Sequence, residues 1–165
     1  MIWLFLIVLI LVLVYIIMYR IKQNRELTEE GKIIKREGAF VDEISVFKVQ
    51  DVSFDELQEA VDKLDYDETN VTRRIVHKDE QYIEFQSSGQ NLIGGWIAII
   101  ETVDSEDKKD TYRFYFSDYR TYNNTPPYIT MNVMLTLVEK MFLELDHEAT
   151  VKTERIKRET KADFF

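Results

Sequence analysis

Residues 111–117 read TYRFYFS, and this alternation of side chains decides the fold class of the surrounding region. Successive side chains of a β-strand point to opposite faces. The aromatic side chains at positions 112, 114 and 116 therefore share one face, while Arg113 and Tyr115 share the other. The pattern predicts a strand that buries one face in a hydrophobic core.

Three strand-like runs precede this strand, at residues 71–78, 81–86 and 96–103. Turn-like residues separate them: Asp79-Glu80, the segment 87–95 and the polar loop 104–110. Short connections between sequential strands are typical of an antiparallel meander. A further run of β-branched and aromatic residues, 40–50, predicts one strand upstream of the meander.

Two helices are predicted around these strands. Ser53 and Glu56 have the spacing of a capping box, and apolar residues at helical spacing follow over 54–64. Thr125-Pro126-Pro127 opens a second, longer helix that ends near Asp146, with a broad apolar stripe. The tail, residues 148–165, fits either an edge strand or a helical extension.

These elements predict an α+β domain over residues 39–165, in which an antiparallel sheet of about five strands packs on a short and a long helix. A chain of roughly 125 residues is long enough to bury its own core. The sequence contains no cysteine, so the domain has no disulfide and no thiolate chemistry.

The N-terminal stretch Ile2–Tyr19 reads IWLFLIVLILVLVYIIMY and contains no charged residue, glycine or proline. Eighteen residues of helix span about 27 Å, close to the thickness of a bilayer core. We therefore expect residues 1–19 to be a transmembrane anchor that contacts the lipid bilayer. A cleaved signal peptide is the alternative, but the run lacks a basic segment before it and a small-residue cleavage site after it.

Basic residues follow this stretch directly and set its expected orientation. Arg20, Lys22 and Arg25 open a charged juxtamembrane linker, residues 20–38, and no charged side chain precedes the helix. By the positive-inside rule, the N-terminus lies outside and the domain lies in the cytoplasm. The predicted location is the cell membrane, with a single pass.

The charge of the domain limits its partners. The chain has 21 basic and 30 acidic residues, and the first 37 positions hold six and four of them. The remainder therefore has 15 basic and 26 acidic residues, a net charge of −11. Because phosphate backbones repel such a domain, we expect no nucleic-acid partner.

No motif for catalysis, metal binding or cofactor binding is found in the sequence. The two histidines, His77 and His147, lie on different predicted elements and have no metal-ligand spacing. Walker A, G-x-G-x-x-G and G-x-S-x-G sequences are all missing. We accordingly predict no catalytic residues, no metal and no cofactor, and a protein that is not an enzyme.

One segment stands out by composition: residues 117–128, SDYRTYNNTPPY. Tyrosine, arginine and asparagine are frequent at recognition surfaces. Two interpretations stay open, an ordinary loop whose tyrosines pack back on the sheet and a docking surface for a protein. The candidate partner-binding residues are Tyr119, Arg120, Tyr122, Asn123, Asn124 and Tyr128.

Three functional hypotheses follow. The first is a membrane-anchored protein whose cytoplasmic domain is a protein-interaction or accessory-subunit module. The second is a membrane-tethered sensor that binds a small ligand in a pocket lined by Trp96, Tyr112, Phe114 and Phe116. The third is an enzyme without a recognisable motif, which would need a cleft with convergent, perturbed carboxylates.

Overall fold

A computed structural model describes residues 2–87, 95–103, 110–121 and 124–155. By its internal contacts the chain divides into two units, Met1–Lys35 and Arg36–Phe165. The first unit contains one long helix and the second contains the sheet and two further helices.

The helix of the first unit, α1, covers Ile2–Glu29 and is long and apolar enough to span a membrane. None of its apolar window is buried within the structure. The helix continues well past Tyr19, because the charged residues after the apolar run form ion pairs one turn apart. Lys22 pairs with Glu26 at 3.5 Å and Arg25 with Glu29 at 2.7 Å. The first half of the predicted linker is thus part of the same helix.

Gly31 ends this helix. Its φ of 68° is in the left-handed region that glycine adopts without strain. The amide of Gly31 donates to the Thr28 carbonyl at 3.0 Å, and the amide of Lys32 donates to the Leu27 carbonyl at 2.8 Å. This pair of bonds is a Schellman motif, which satisfies the last carbonyls of the helix.

The second unit is a six-stranded antiparallel sheet in the order β2-β3-β4-β5-β1-β6, with helices on one face. The predicted α+β class is confirmed, and so is the meander of four strands. A short 3-10 helix, Gly38–Asp42, opens the unit. The other elements are β1 Glu43–Val49, α2 Phe54–Asp62, β2 Val71–His77, β3 Tyr82–Ser87, β4 Trp96–Val103, β5 Asp110–Tyr119, α3 Tyr128–Leu145 and β6 Thr150–Arg155.

The core lies between the sheet and the two helices α2 and α3. Phe47 of β1 and Phe142 of α3 stack with ring centroids 4.2 Å apart, and Tyr112 of β5 lies 5.5 Å from the same phenylalanine. The capping box of α2 is present as predicted: the Ser53 hydroxyl accepts from the Glu56 amide, and the Glu56 carboxylate accepts from the Ser53 amide. It begins α2 where the chain turns from β1 onto the core face.

The structure ends α2 at Asp62 and β5 at Tyr119, against predicted ends near 64 and 117, and it also moves the starts of β1 and α3. The chain is a 3-10 helix at Phe40 and Val41, and β1 begins only at Glu43. Both residues are buried, and a strand would place consecutive side chains on opposite faces, so a turn is required there. Pro127 is the N-cap of α3 rather than a residue of its first turn.

The ambiguous tail contributes a sixth strand, β6, which pairs with β1 in antiparallel register. Asp146 directs the chain into this position. Its carboxylate accepts from the Gln50 amide at 3.0 Å, next to the end of β1, and from the Glu148 amide at 2.8 Å. The end of α3 is thereby tied to the end of β1, and the chain continues alongside that strand.

Arg36 joins the start of the second unit to α3. Its Nε donates to Asn132 Oδ1 at 3.0 Å, and its Nη2 lies 2.5 Å from Glu139 Oε2 and 3.4 Å from Thr136 Oγ1. The side chains of Arg36 and Glu139 are each only 16% exposed. This mostly buried ion pair holds the chain against the long helix where it enters the domain.

Candidate functional site

The tyrosine-rich segment 117–128 is not all loop: residues 117–119 are the end of β5, and Tyr128 is the first residue of α3. Tyr119 is half-buried, and its hydroxyl donates to Asp42 Oδ1 at 2.9 Å. Asp42 ends the 3-10 helix that opens the domain. The first tyrosine of the segment is therefore bonded back to the domain.

Tyr128 also contacts the start of the domain. Its ring centroid lies 6.0 Å from that of Phe40, and a Cβ added at Gly38 would lie 3.3 Å from its hydroxyl oxygen. A larger residue at position 38 would require the Tyr128 side chain to shift by a few tenths of an ångström. Tyr128 remains 37% exposed, so it is packed on one side and accessible on the other.

The other predicted residues of the segment are placed differently. Arg120 is exposed, and its amide donates to the Gly95 carbonyl at 2.9 Å. Asn124 is exposed with φ of 58°, a turn conformation that asparagine tolerates better than most residues. Tyr122 and Asn123 lie outside the described residues. The structure thus brings Tyr119 and Tyr128 together with the 3-10 helix and does not gather the described candidates into one exposed cluster.

The aromatic residues of the ligand-pocket hypothesis belong to the packed core. Trp96, Tyr112, Phe114 and Phe116 are each 1% exposed. Phe116 contacts Trp96 and Phe114 edge-on at 5.5 and 5.2 Å, and the Tyr112 hydroxyl donates to the Val52 carbonyl at 2.6 Å. Burial raises the pKa of the Tyr112 hydroxyl, as expected for a phenol within the core.

A surface groove of about 330 Å³ lies between α2 and α3. Leu64 and Met141 contribute to its apolar floor, and Glu59, Lys63 and Glu144 contribute to its polar rim. Glu56 also lines it, but its carboxylate is engaged in the capping box, which lowers its pKa. The groove has the character of a solvated seam between two packed helices.

The surface that sequence reasoning missed is the face of the sheet opposite the core. Strand pairing aligns two rows of side chains across all six strands on this face, and we call these twelve residues the open face. From β2 to β6, the first row is His77, Tyr82, Glu101, Arg113, Val46 and Lys152. The second row is Ile75, Glu84, Ile99, Tyr115, Ile44 and Glu154.

The middle of the open face is apolar. Ile99, Tyr115 and Ile44 are neighbours in the second row on β4, β5 and β1, and Val46 lies beside them in the first row. The three residues of the second row are half-buried, although none belongs to the core cluster beneath the helices. The solvated face of an antiparallel sheet normally has polar side chains. This strip is instead apolar, and neither α2 nor α3 covers it.

Glu101 organises the polar groups beside this strip. Its carboxylate accepts from the Tyr115 hydroxyl at 3.3 Å and lies 4.0 Å from Arg113 Nη1. Burial, and then the negative charge of Glu101, raises the pKa of Tyr115 to about 12. Tyr115 is therefore a neutral hydrogen-bond donor at physiological pH.

Two polar atoms of the first row have no hydrogen-bond partner among the described residues. They are Nε2 of His77 and Nε of Arg113, and both are inaccessible to solvent in the domain by itself. The His77 ring stacks on Tyr82 with centroids 4.1 Å apart, which fixes its position. Buried polar atoms are nearly always paired, and these two are exceptions in the first row.

Part of this surface was visible in the sequence. Arg113 and Tyr115 were predicted to share a face, as were Val71, Ile75 and His77. Val71 instead packs on the core, because the pairing of β2 with β3 shifts register after it. Isoleucines 97 and 99 alternate with the core residues of β4, and Ile44 and Val46 alternate with those of β1, so both strands have apolar residues on both faces. The pairing of distant strands, which assembles these pairs into one surface, is not a local property.

Within residues 2–87, 95–103, 110–121 and 124–155, no group of three or more histidine, aspartate and glutamate side chains is arranged to hold a metal ion. Comparisons of the chain with models of protein families, with curated proteins and with solved structures found no match.

Proposed function

We propose that this chain is a single-pass protein of the cell membrane whose cytoplasmic domain is a protein-interaction or accessory-subunit module, and that the open face is the surface it uses. The observation that carries the proposal is the apolar strip of Ile44, Ile99 and Tyr115 on the face that α2 and α3 leave uncovered. Apolar surface of this kind, bordered by charged side chains, is typical of protein interfaces.

The anchor supports the membrane part of the proposal. A helix of 28 residues is about 42 Å long, enough to cross the hydrocarbon core and extend beyond it. Its apolar side chains are exposed, which in water would be costly and in lipid is favourable. Arg20, Lys22 and Arg25 follow the apolar run and favour a cytoplasmic domain.

The orientation is tested in intact cells. A reporter active only in the cytoplasm, fused after Phe165, should be active, and external protease should leave the domain uncut. A protected N-terminus together with cleavage of the domain by external protease would reverse the topology. Cleavage of the chain after the apolar run, detected by N-terminal sequencing, would instead identify a signal peptide.

The interaction surface is tested by photo-crosslinking in the native membrane. A photoreactive amino acid replaces Ile99 at the centre of the open face or, as the matched control, Asp67 in an exposed turn after α2. We expect a discrete adduct from position 99 that the control does not form. The adduct should disappear when Tyr115 is changed to Arg, because a charge there interrupts the apolar strip. Equal adducts from both positions, or none from position 99, would rule out the open face as the interface.

A further inference from the structure

The open face carries almost none of the negative charge of its domain. The face has three acidic side chains, Glu84, Glu101 and Glu154, and two basic ones, Arg113 and Lys152. Its net charge is therefore −1. The whole chain after position 37 has a net charge of −11. Two copies of the domain would repel one another through most of their surface, but hardly at all through this face.

The order of residues along the rows is self-complementary at the centre. Glu101 on β4 and Arg113 on β5 are neighbours in the first row, and Ile99 and Tyr115 are neighbours in the second. The boundary between β4 and β5 is also the middle of the six-stranded sheet. A half-turn about an axis along this boundary places β4 of one copy over β5 of the other. Glu101 then faces Arg113, and Ile99 faces Tyr115, on both sides of the axis.

The same rotation places a second carboxylate near Arg113. Its guanidinium would face Glu101 of the second copy, in addition to the 4.0 Å contact with its own. At the edges, β2 lies over β6 of the second copy, so that His77 faces Lys152 and Ile75 faces Glu154.

We propose that the open face binds the open face of a second copy of this chain in a two-fold, sheet-on-sheet dimer. This inference rests on the proposed function and names its partner. Twelve side chains from each copy make a small interface compared with the roughly 20–30 residues of a stable complex. The dimer is therefore weak and reversible, and confinement of the anchored copies to one membrane raises their effective concentration.

The geometry gives a test at the two edges of the sheet. The chain has no native cysteine, so single cysteines can be introduced without background. In the dimer, Ile75 of one copy lies over Glu154 of the other, across the about 10 Å that separates packed sheets. The two Ile75 positions lie at opposite edges, five strand spacings or about 24 Å apart.

Full-length chains with different tags are produced together in membranes and treated with a bismaleimide whose reach is about 10 Å. We expect the pair Ile75→Cys with Glu154→Cys to give a covalent dimer of twice the 19.7 kDa chain, at least fivefold above either variant alone. Asp67→Cys is the control for association through the anchor helix. Equal linkage in the single variants or in the control, or no linkage in the pair, would overturn the two-fold arrangement.

A charge exchange separates dimerisation from damage to the fold. Glu101→Arg alone and Arg113→Glu alone each place like charges across the axis, so each should lose at least four-fifths of the linkage. In a mixed dimer of the two variants, positions 101 and 113 that face each other across the axis again have opposite charges. Within each copy, the two positions still have like charges. Linkage should return in the mixture, and linkage that stays low there would reject the proposed contact.

Failure of this inference and failure of the proposed function give different results. If cysteine linkage fails while the photoreactive residue at position 99 captures a different protein, the open face binds a heterologous partner and the dimer is wrong. If neither experiment yields an adduct, the open face is not an interface. Linkage in the cysteine pair together with adducts of the chain with itself from position 99 supports both.

Discussion

Arg36 is a residue outside the apolar core whose loss we expect to destabilise the domain. Its guanidinium pairs with Glu139 at 2.5 Å, and both side chains are 16% exposed. Removing one partner of a mostly buried pair leaves the other charge without compensation. Asn132 and Thr136 would lose donors at the same time.

We predict that Arg36→Ala lowers the free energy of unfolding by about 2–4 kcal/mol. The measurement is urea unfolding of the fragment 20–165, with Lys48→Ala, an exposed residue on β1, as the matched control. The double variant Arg36→Met with Glu139→Leu should recover part of the loss, because it leaves no buried charge unpaired. A change below about 0.5 kcal/mol in Arg36→Ala would show that the pair is only a surface contact.

Tyr115 carries the second prediction at this scale. Burial first, and then the charge and hydrogen bond of Glu101, raise its pKa to about 12 from the ordinary value of 10.0. We predict that Glu101→Gln lowers the pKa of Tyr115 without returning it to 10.0, since burial remains. Tyrosine absorbance near the ultraviolet edge, with Tyr115→Phe to identify the transition, measures it. A pKa that is unchanged in Glu101→Gln would remove the carboxylate as a cause.

The raised pKa of Tyr115 also has a consequence for stability. The folded state disfavours ionised Tyr115, so its contribution is complete below the unfolded pKa of 10.0. The contribution is lost as the pH rises from there through about 12. The domain should consequently lose stability faster above pH 10 than its Tyr115→Phe variant does.

At the scale of elements, the capping box of α2 gives a prediction with a pH dependence. The Ser53 amide and hydroxyl donate to the Glu56 carboxylate at 2.9 and 2.8 Å and lower its pKa below 4.5. The stabilisation from this carboxylate is present above that value and is lost as the pH falls through the lowered pKa. The box fixes the start of a helix of only nine residues.

We predict that Ser53→Ala lowers the free energy of unfolding by about 1 kcal/mol at neutral pH. The deficit should shrink as the pH falls through the lowered pKa of Glu56, because its charged hydrogen bonds are then lost in both proteins. Urea unfolding at pH 7 and at a series of acidic pH values measures it, and Glu59→Gln, an exposed residue on the same helix, is the control. A deficit that is equal at every pH would mean that only the serine hydroxyl matters.

At the scale of the whole molecule, the core cluster of the second unit includes no residue before Phe40. We therefore predict that deletion of Met1–Tyr19 yields a folded domain that remains soluble after ultracentrifugation. The deletion removes exposed apolar side chains and no member of the core. Amide dispersion in an NMR spectrum, together with the sedimentation test, checks it. A fragment that is unfolded, or that stays with membranes, would contradict the prediction that the domain folds without the apolar helix.

Most elements of the domain could be predicted because their signals are local. The alternation of β5, the capping box of α2 and the apolar stripe of α3 are each contained within a few turns or pleats of chain. The start of β1 was misplaced by three residues because Phe40 and Val41 resemble strand residues, yet both turn into the core. The candidate segment 117–128 was chosen by composition. Composition does not distinguish a tyrosine that is hydrogen-bonded within the domain, as Tyr119 is to Asp42, from one that is available to a partner.

The sequence by itself determined the apolar helix, five of the strands and both helices of the domain, and which sides of β3 and β5 face inward. These follow from periodicity, since the repeat of a helix or strand places neighbouring residues on common faces. Only the tertiary structure decided that β1 lies between β5 and β6, and that residues from six strands align in the rows of the open face. Ile44 and Tyr115 are 71 positions apart, and nothing in either local pattern encodes their register. That register is set by how the opposite side chains fit the core, so the open face exists only once the sheet has formed.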